Sequence, residues 1–258
     1  MKFFTWRSLA AGMAIAVAAS AALSVPRYQA SADWRTASRE SIGVAPDPAE
    51  VREAVVQVYG ARAVRWRGYF GVHTWIAVKP TDAPTFTVYE VMGWRAYRGG
   101  DALVISHRPA DGRWYGSAPT LLADVRGKGV DEMIQRIDTA AKAYPYREHY
   151  TIWPGPNSNT FVAHVARAVP ELRLDLPPTA IRKDYIPGGG LFAKTPSGTG
   201  YQFSLFGLLG VLAGAEEGVE INILGLTFGV DVTEPAIKLP LAGRIGFGAG
   251  HADAAERN

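Results

Sequence analysis

A serine, a histidine and a glutamate in this chain could together form a hydrolytic site. Ser158 lies where a turn-forming segment gives way to a predicted helix, whose N–H groups and dipole would favour an anion beside the hydroxyl. His73 lies at the start of a predicted strand, and Glu90 on the next strand could orient its ring. A hydroxyl is a weak nucleophile until a base takes its proton. The pattern therefore predicts attack by Ser158 on an amide or ester, with His73 as the base.

The same residues also have structural interpretations. Serine is a preferred helix cap, a buried histidine commonly hydrogen-bonds a loop, and a strand glutamate is commonly solvated or paired with arginine. Asn157 and Asn159 would donate to an oxyanion, or they belong to the turn. Trp153 and Trp75, with Trp94, would line a binding groove, or they pack in the core. The sequence leaves both interpretations open for each residue.

The sequence predicts neither a metal site nor a cofactor. It contains no cysteine, and its five histidines show no spacing typical of zinc ligands. The glycine-rich stretch at 188–200 contains lysine and threonine, but not in the order of a phosphate-binding loop. Turns and close backbone approaches explain these glycines better.

The distribution of charge argues against a nucleic-acid partner. Three of the 27 basic residues, Lys2, Arg7 and Arg27, precede residue 33, and no acidic residue does. The rest of the chain is therefore neutral, with 24 acidic residues balancing the remaining basic ones. Without a net basic field, the attraction that drives binding to phosphate backbones is missing.

Residues 1–32 have the pattern of a secretion signal. Lys2 and Arg7 flank the start of an uncharged run at 8–26 that is rich in Ala, Leu and Val, and small residues favour cleavage after Ala32. If the segment is retained, it would be a single N-terminal membrane anchor, and residues 8–26 would be the membrane contact. The expected location is periplasmic or otherwise exported, either free or anchored to the inner membrane.

The chain after the signal is expected to begin with a polar linker at 33–49 and to continue as an α+β core at 50–177. Alternating apolar residues predict strands in VVQVY, GVHTWIAVKP, PTFTVYEVMGW and DALVISH. Apolar residues at helical spacing predict helices at about 129–143 and 159–172, with Pro170 near the end of the second. The expected architecture is an antiparallel sheet packed with these helices.

Residues 178–250 are expected to form a β-rich, glycine-rich extension packed on the core, followed by a frayed tail at 251–258. The stretch VEINILGLTFGVDV is interpreted as apolar on both faces. This interpretation predicts a buried strand or hairpin that covers the core.

Several stretches together resemble one bacterial family, domain of unknown function 3750 (DUF3750). They are SIGVAPDPA, VVQVYGARAVRWRGYFGVHTWIAVKP, WPGPNSNTFVAHVARAVPEL, PSGTGYQFSLFGLLG and EEGVEINILGLTFGVD. The similarity extends over nearly all of the chain after the signal. It implies no reaction, because no activity is assigned to that family.

A second resemblance concerns GVHTWIAV followed by PNSNTF. This order is similar to the circularly permuted NlpC/P60-like hydrolases, which are related to papain and carry the histidine before the nucleophilic cysteine. The resemblance covers residues 54–172 and implies a permuted papain-like core. Ser158 stands at the cysteine position, and a hydroxyl is far less acidic than a thiol, so the family's thiolate mechanism cannot operate here.

Two functions from different classes follow from the sequence. In the first, the protein is a non-catalytic binding module whose groove holds a peptide, glycan or lipid fragment of the cell envelope. In the second, it is a Ser–His hydrolase or acyltransferase that acts on an amide or ester of the envelope. The missing cysteine favours the binding module.

Overall fold

The computed structural model describes residues 6–24 and 33–246. The first of these ranges forms one helix, α1 (Trp6–Ser24). Across both ranges, no helix is both long and apolar enough to cross a membrane. The expected cleavage site after Ala32 and the expected tail at 251–258 lie outside the described residues.

Five antiparallel strands form the first sheet, in the order β4-β3-β2-β1-β5. Strands β1 to β4 occur where alternating apolar residues predict them, and β5 has no counterpart among the predictions. The α+β class with an antiparallel sheet is therefore confirmed, whereas the permuted papain-like order stays a prediction. The strand bounds are β1 (Val55–Arg62), β2 (Val72–Lys79), β3 (Thr87–Val91), β4 (Leu103–Ser106) and β5 (Thr120–Arg126).

Helices cover one face of this sheet. Both predicted helices are present, as α3 (Val130–Lys142) and α4 (Ser158–Ala168), and α2 (Gly93–Ala96) is an additional short helix. The α4 helix ends before Pro170, which has no N–H to continue it, and a 3₁₀ turn follows at Pro170–Leu172. The apolar stripes of the two long helices pack against the sheet in one core, which includes Val56, Val58, Ile76, Val78, Val130, Met133, Ile137, Phe161, Val162 and Val165.

The opposite face of the sheet is also buried, in a second cluster that contains Tyr59, Trp75 and Trp114. Asp111 lies in the loop that covers this face. Its carboxylate accepts hydrogen bonds from the hydroxyl of Ser41 and from two backbone N–H groups, at 2.6 to 3.0 Å. Part of the segment interpreted as a linker is thus held on the core. The domain boundaries themselves stay a prediction.

Seven strands form a second sheet, a meander in the order β12-β11-β10-β9-β8-β7-β6. Consecutive strands are joined by short turns, so alternate turns lie at opposite ends of the sheet. Its strands are β6 (Phe192–Lys194), β7 (Gly200–Leu205), β8 (Leu209–Gly214), β9 (Gly218–Ile223), β10 (Leu226–Asp231), β11 (Ala236–Leu239) and β12 (Gly243–Gly246).

The second sheet is polar on its inner face and apolar on its outer face. The prediction that VEINILGLTFGVDV is apolar on both faces and forms a buried strand or hairpin is wrong, because Val219, Ile221 and Val230 on the outer face of the β9–β10 hairpin are each 46% to 49% exposed. Strict alternation places apolar side chains outward and polar ones inward. The buried inner side chains include Gln202, Ser204, Glu220, Asn222, Thr227 and Lys238.

Ion pairs join this polar inner face to the segment that follows α4. Glu220 lies 2.7 Å from the ammonium group of Lys183 and 2.9 Å from that of Lys238, and Lys238 also lies 2.6 Å from Asp175. Buried charges need such partners, because an isolated charge loses its hydration. The second sheet thus packs through polar contacts on the first unit, by which we mean the five-stranded sheet with its helices and the segment that follows α4. The apolar face of the second sheet is exposed.

Candidate functional site

A cavity of about 550 Å³ opens where both sheets and the start of α4 meet. His73 at the start of β2 lines it, and so do Ser158, Asn157 and Asn159 at the start of α4. The rest of the lining is mainly apolar, and no acidic residue contributes to it. Its aromatic residues are Trp66, Phe70, Trp94, Tyr97, Trp114, Tyr150 and Trp153.

His73 and Glu90 lie in contact on neighbouring strands. The ring atom Nε2 of His73 lies 3.0 Å from Oε2 of Glu90, and Nε of Arg108 donates to Oε1 of the same carboxylate at 3.0 Å. Because an ionised carboxylate only accepts hydrogen bonds, Nε2 is the protonated nitrogen of the neutral ring. The structure thus places Glu90 where it would orient His73, while the catalytic role of both residues stays a prediction.

The surroundings of His73 and Glu90 determine the protonation state of each side chain. Burial lowers the pKa of His73 below 6.5, although Glu90 opposes the shift. Burial alone would raise the pKa of Glu90, but His73 and Arg108 together hold it below its ordinary value of 4.5. A neutral imidazole beside a carboxylate is therefore the expected state near neutral pH.

Aromatic rings hold the imidazole in place. The His73 ring stacks on Trp114, with ring centroids 3.7 Å apart and planes inclined by 10°, and Trp94 stacks on the same indole. Trp75 is fully buried behind the ring, and its Nε1 donates to the carbonyl of Ala110. Of the three tryptophans predicted to line the groove, Trp153 and Trp94 lie in the cavity lining and Trp75 lies in the core.

Asn157, and not Ser158, is the N-cap of α4. Its Oδ1 accepts hydrogen bonds from the N–H groups of Asn159 and Thr160. The N–H of Asn157 donates to the hydroxyl oxygen of Thr160, which completes a capping box. Ser158 is the first helical residue. The interpretation of Ser158 as a helix cap is therefore wrong. Asparagine takes the role because its amide oxygen reaches the second and third N–H groups of the helix.

The side-chain amides of Asn157 and Asn159 join the start of α4 to three neighbouring backbone segments. Nδ2 of Asn157 donates to the carbonyls of Ile152 and Ile181, and Nδ2 of Asn159 donates to those of Val72 and Ile181. Both amide groups are therefore used within the protein. Neither is available to an oxyanion without breaking these bonds.

Tyr150 contacts Ser158 in the cavity. Burial raises the pKa of Tyr150 to about 12, and its hydrogen bonds with the side chain and backbone of Ser158 oppose that shift. A phenol with so high a pKa is neutral and is no base for the serine hydroxyl. Gly93 makes room for this ring, because a Cβ at that position would lie 2.5 Å from it.

Ser158 and His73 reach the cavity from different sides of β2. The hydroxyl of Thr74 donates to Oδ1 of Asn159 at 3.0 Å, so Thr74 faces α4. Alternation along the strand then places His73 on the opposite face, against Trp114. Among the described residues, no hydrogen bond joins the Ser158 hydroxyl to the His73 ring. The two predicted catalytic residues share a cavity without forming a pair.

Sequence reasoning missed Tyr150, Arg108 and Trp114. All three lie in irregular segments, where no periodicity marks a side chain as facing inward. In the described ranges no group of three or more histidine, aspartate or glutamate residues is arranged to hold a metal ion.

Comparison with known proteins gives one match. The family model described as "Protein of unknown function (DUF3750)" matches residues 53–185, which include His73, Glu90 and Ser158. No curated protein and no solved structure matched the chain. The family resemblance read from the sequence is thereby confirmed. The resemblance to permuted papain-related hydrolases stays a prediction.

Proposed function

The chain belongs to the DUF3750 family, and we propose that it is a non-catalytic protein that holds an apolar ligand in its aromatic cavity. The ligand class that fits best is the acyl part of a lipid. The observation that carries this proposal is the lining, in which seven aromatic side chains surround a space of about 550 Å³. That volume is within the range of about 300 to 1,000 Å³ that is typical of small-molecule sites.

The state of the polar groups favours a lipid over a glycan or a peptide. Glycans and peptides need hydrogen-bond partners along their length. The amides of Asn157 and Asn159 are already bonded within the protein, and Nε2 of His73 is bonded to Glu90. An acyl chain requires only apolar contact, which the aromatic rings supply.

The start of α4 supports a binding role over a catalytic one. An oxyanion site needs free N–H groups that point at the developing charge. The Asn157 side chain accepts from the N–H groups of Asn159 and Thr160, and the Asn157 carbonyl accepts from the N–H of Phe161. Three of the first four N–H groups of α4 are therefore already bonded within the protein, which leaves too few donors for a preformed oxyanion site.

Export to the cell envelope is part of the proposal and rests on the sequence. Lys2 and Arg7 flank the start of the uncharged run at 8–26, as in secretion signals. A periplasmic protein with an apolar cavity would hold lipid fragments of the envelope.

A fluorescent fatty acid tests the ligand class. We expect the purified chain to bind the probe, and Trp94→Ala to weaken binding by about tenfold, because an aromatic wall is lost. Trp34→Ala is the matched control, since Trp34 is 39% exposed against 36% for Trp94 and lies outside the cavity lining. Absence of probe binding, or equal loss in both variants, would overturn the proposal.

A Ser–His hydrolase or acyltransferase is the second candidate, and the contact between His73 and Glu90 at 3.0 Å favours it. A fluorophosphonate probe distinguishes the two functions, because it labels only an activated serine. We expect no labelling of Ser158. Labelling of the native chain that disappears in Ser158→Ala would establish the hydrolase and refute the non-catalytic role.

A further inference from the structure

The two ends of the seven-stranded sheet differ in polarity. At one end, here called the cavity end, the turns are residues 206–208, 224–225 and 240–242, and they contain Phe, Leu, Gly, Pro and Ala only. At the other end the turns are residues 195–199, 215–217 and 232–235, and they include Glu216, Glu217 and Glu234. The acidic residues of the turns are therefore all at the end away from the cavity.

The cavity end adjoins the mouth of the cavity. Leu224 and Gly225 of the middle turn line the cavity, and Nε1 of Trp153 donates to the carbonyl of Leu224 at 3.1 Å. The N–H of Leu224 in turn donates to the carbonyl of Leu208, which ties the middle turn to the neighbouring one. Phe206 and Leu224 are 49% and 60% exposed. An apolar surface thus continues from the cavity to the tips of the turns at 206–208 and 224–225, whereas Pro240 and Leu241 of the third turn are buried.

A basic, aromatic segment lies on the same rim. The 3₁₀ helix Arg65–Tyr69 and the following Phe70 expose the rings of Trp66 and Phe70, and Arg65 and Arg67 are also exposed. Trp66 and Phe70 line the cavity together with Arg67. No acidic residue occurs between Glu53 and Asp82 in the sequence. Within the cavity lining, Arg67 supplies a positive charge and no acidic residue opposes it.

We infer that the cavity end docks on an anionic lipid surface, with the apolar turn tips in the acyl region and the arginines at the headgroup phosphates. Exposed apolar turns, tryptophan at the boundary and nearby arginine are the features that hold proteins at such an interface. The cavity mouth would then open toward the bilayer. The identity of the ligand rests on the proposed function, whereas the docking itself does not.

Charge complementarity selects lipid over a second copy of the chain. In a two-fold dimer through this end, the same surface of both copies is buried, so the arginines of both copies enter one interface. The cavity lining and the three turns contain no acidic residue that could offset this repulsion. Anionic headgroups supply the missing negative charge.

Sedimentation with vesicles tests the inference on the full chain. We expect binding to vesicles of phosphatidylcholine with phosphatidylglycerol, and weaker binding to phosphatidylcholine alone or at high salt. The double variant Leu205→Ser, Phe206→Ser should reduce binding at least tenfold. Arg65→Gln with Arg67→Gln should remove the preference for phosphatidylglycerol. Val232→Ser is the control, because Val232 is 76% exposed at the other end of the sheet.

Three outcomes would overturn the inference. They are no vesicle binding by the native chain, equal binding by the Leu205, Phe206 variant, and self-association that depends on those two residues. Equal binding by that variant would place the membrane contact elsewhere, as in the run at 8–26, which every variant retains. Neither Leu205 nor Phe206 lines the cavity. The double variant should therefore keep its affinity for the fluorescent fatty acid in solution, so that failure of docking and failure of ligand binding are distinguishable.

Discussion

At the scale of single residues, burial decides what His73 can do. The ring is stacked on Trp114 and bonded through Nε2 to Glu90, so it has one orientation and one tautomer. A buried, neutral imidazole could serve as a base for a bound group, but in the part of the chain that the structure describes no hydrogen bond joins it to the hydroxyl of Ser158, which lies beside Tyr150. The three residues of the predicted triad are therefore divided between two contacts: His73 with Glu90, and Ser158 with Tyr150.

The state of His73 can be measured directly by NMR titration of its ring. We expect a pKa below 6.5, because burial penalises the charged imidazolium. Glu90→Gln should lower it further, since the carboxylate favours the proton. Glu132→Gln on α3 is the control and should leave the titration unchanged. A pKa at or above 6.5 in the native protein would contradict the burial argument.

The same shift has a consequence for stability. The unfolded chain binds a proton near pH 6.5 and the folded ring binds it only at lower pH, so the unfolded state gains protons first as the pH falls. The free energy of unfolding should therefore decrease as the pH falls from about 6.5 through the folded-state pKa. Above that range His73 has no effect on the pH dependence.

At the scale of elements, the start of α4 organises the site. Asn157 caps the helix, and its amide also joins the preceding turn and residue 181 to it. The cap therefore fixes the position of Ser158 and, through the Ser158–Tyr150 contact, one wall of the cavity. Asn157 therefore caps the helix with its amide oxygen and joins the helix to two other segments with its amide nitrogen.

Asn157→Ala should lower the free energy of unfolding by about 2 kcal/mol, the upper end of the range for a lost cap, because two further donors are lost with it. Asn157→Ser should cost less, since a hydroxyl can accept from the same helix N–H groups. Urea unfolding measures both variants. Equal losses would show that the bonds to residues 152 and 181, and not the cap, dominate.

At the scale of the whole molecule, a buried charge network joins the second sheet to the segment that follows α4. Glu220 on β9 binds Lys183 and Lys238 at once, and all three side chains are at most 3% exposed. Burial alone would raise the pKa of Glu220, but the two lysines together hold it below 4.5. Its stabilising contribution is therefore complete above pH 4.5 and is lost as the pH falls through the lowered value.

Glu220→Ala should destabilise the fold by about 3 to 5 kcal/mol, because two buried ammonium groups lose their partner. Glu216→Ala is the matched control, since Glu216 pairs with Arg173 near the surface and an exposed pair contributes at most about 1 kcal/mol. Thermal or urea unfolding compares the two. Similar losses in both variants would show that the network does not hold the second sheet.

Local patterns were enough to predict β1 to β4 and the helices α3 and α4, but not β5 or α2. The alternation in GVHTWIAVKP separates Trp75 from Ile76, and each lies in the core on its own face of β2. The apolar stripe of α3 is buried as its spacing predicts. In the second sheet VEINILGLTFGVDV also alternates, but its apolar residues face outward, whereas alternation alone predicts that they face the core.

Sequence patterns alone were sufficient to predict the family, the α+β class and most of the strands and helices of the five-stranded sheet unit, and to nominate Ser158, His73 and Glu90 as candidate residues. These properties depend on periodicity and residue type over short stretches. Tertiary structure alone decided that His73 contacts Glu90, that Tyr150 contacts Ser158, and that the polar face of the second sheet is buried. Such contacts join residues from 8 to dozens of positions apart, and they depend on how faces pack, which no local pattern specifies.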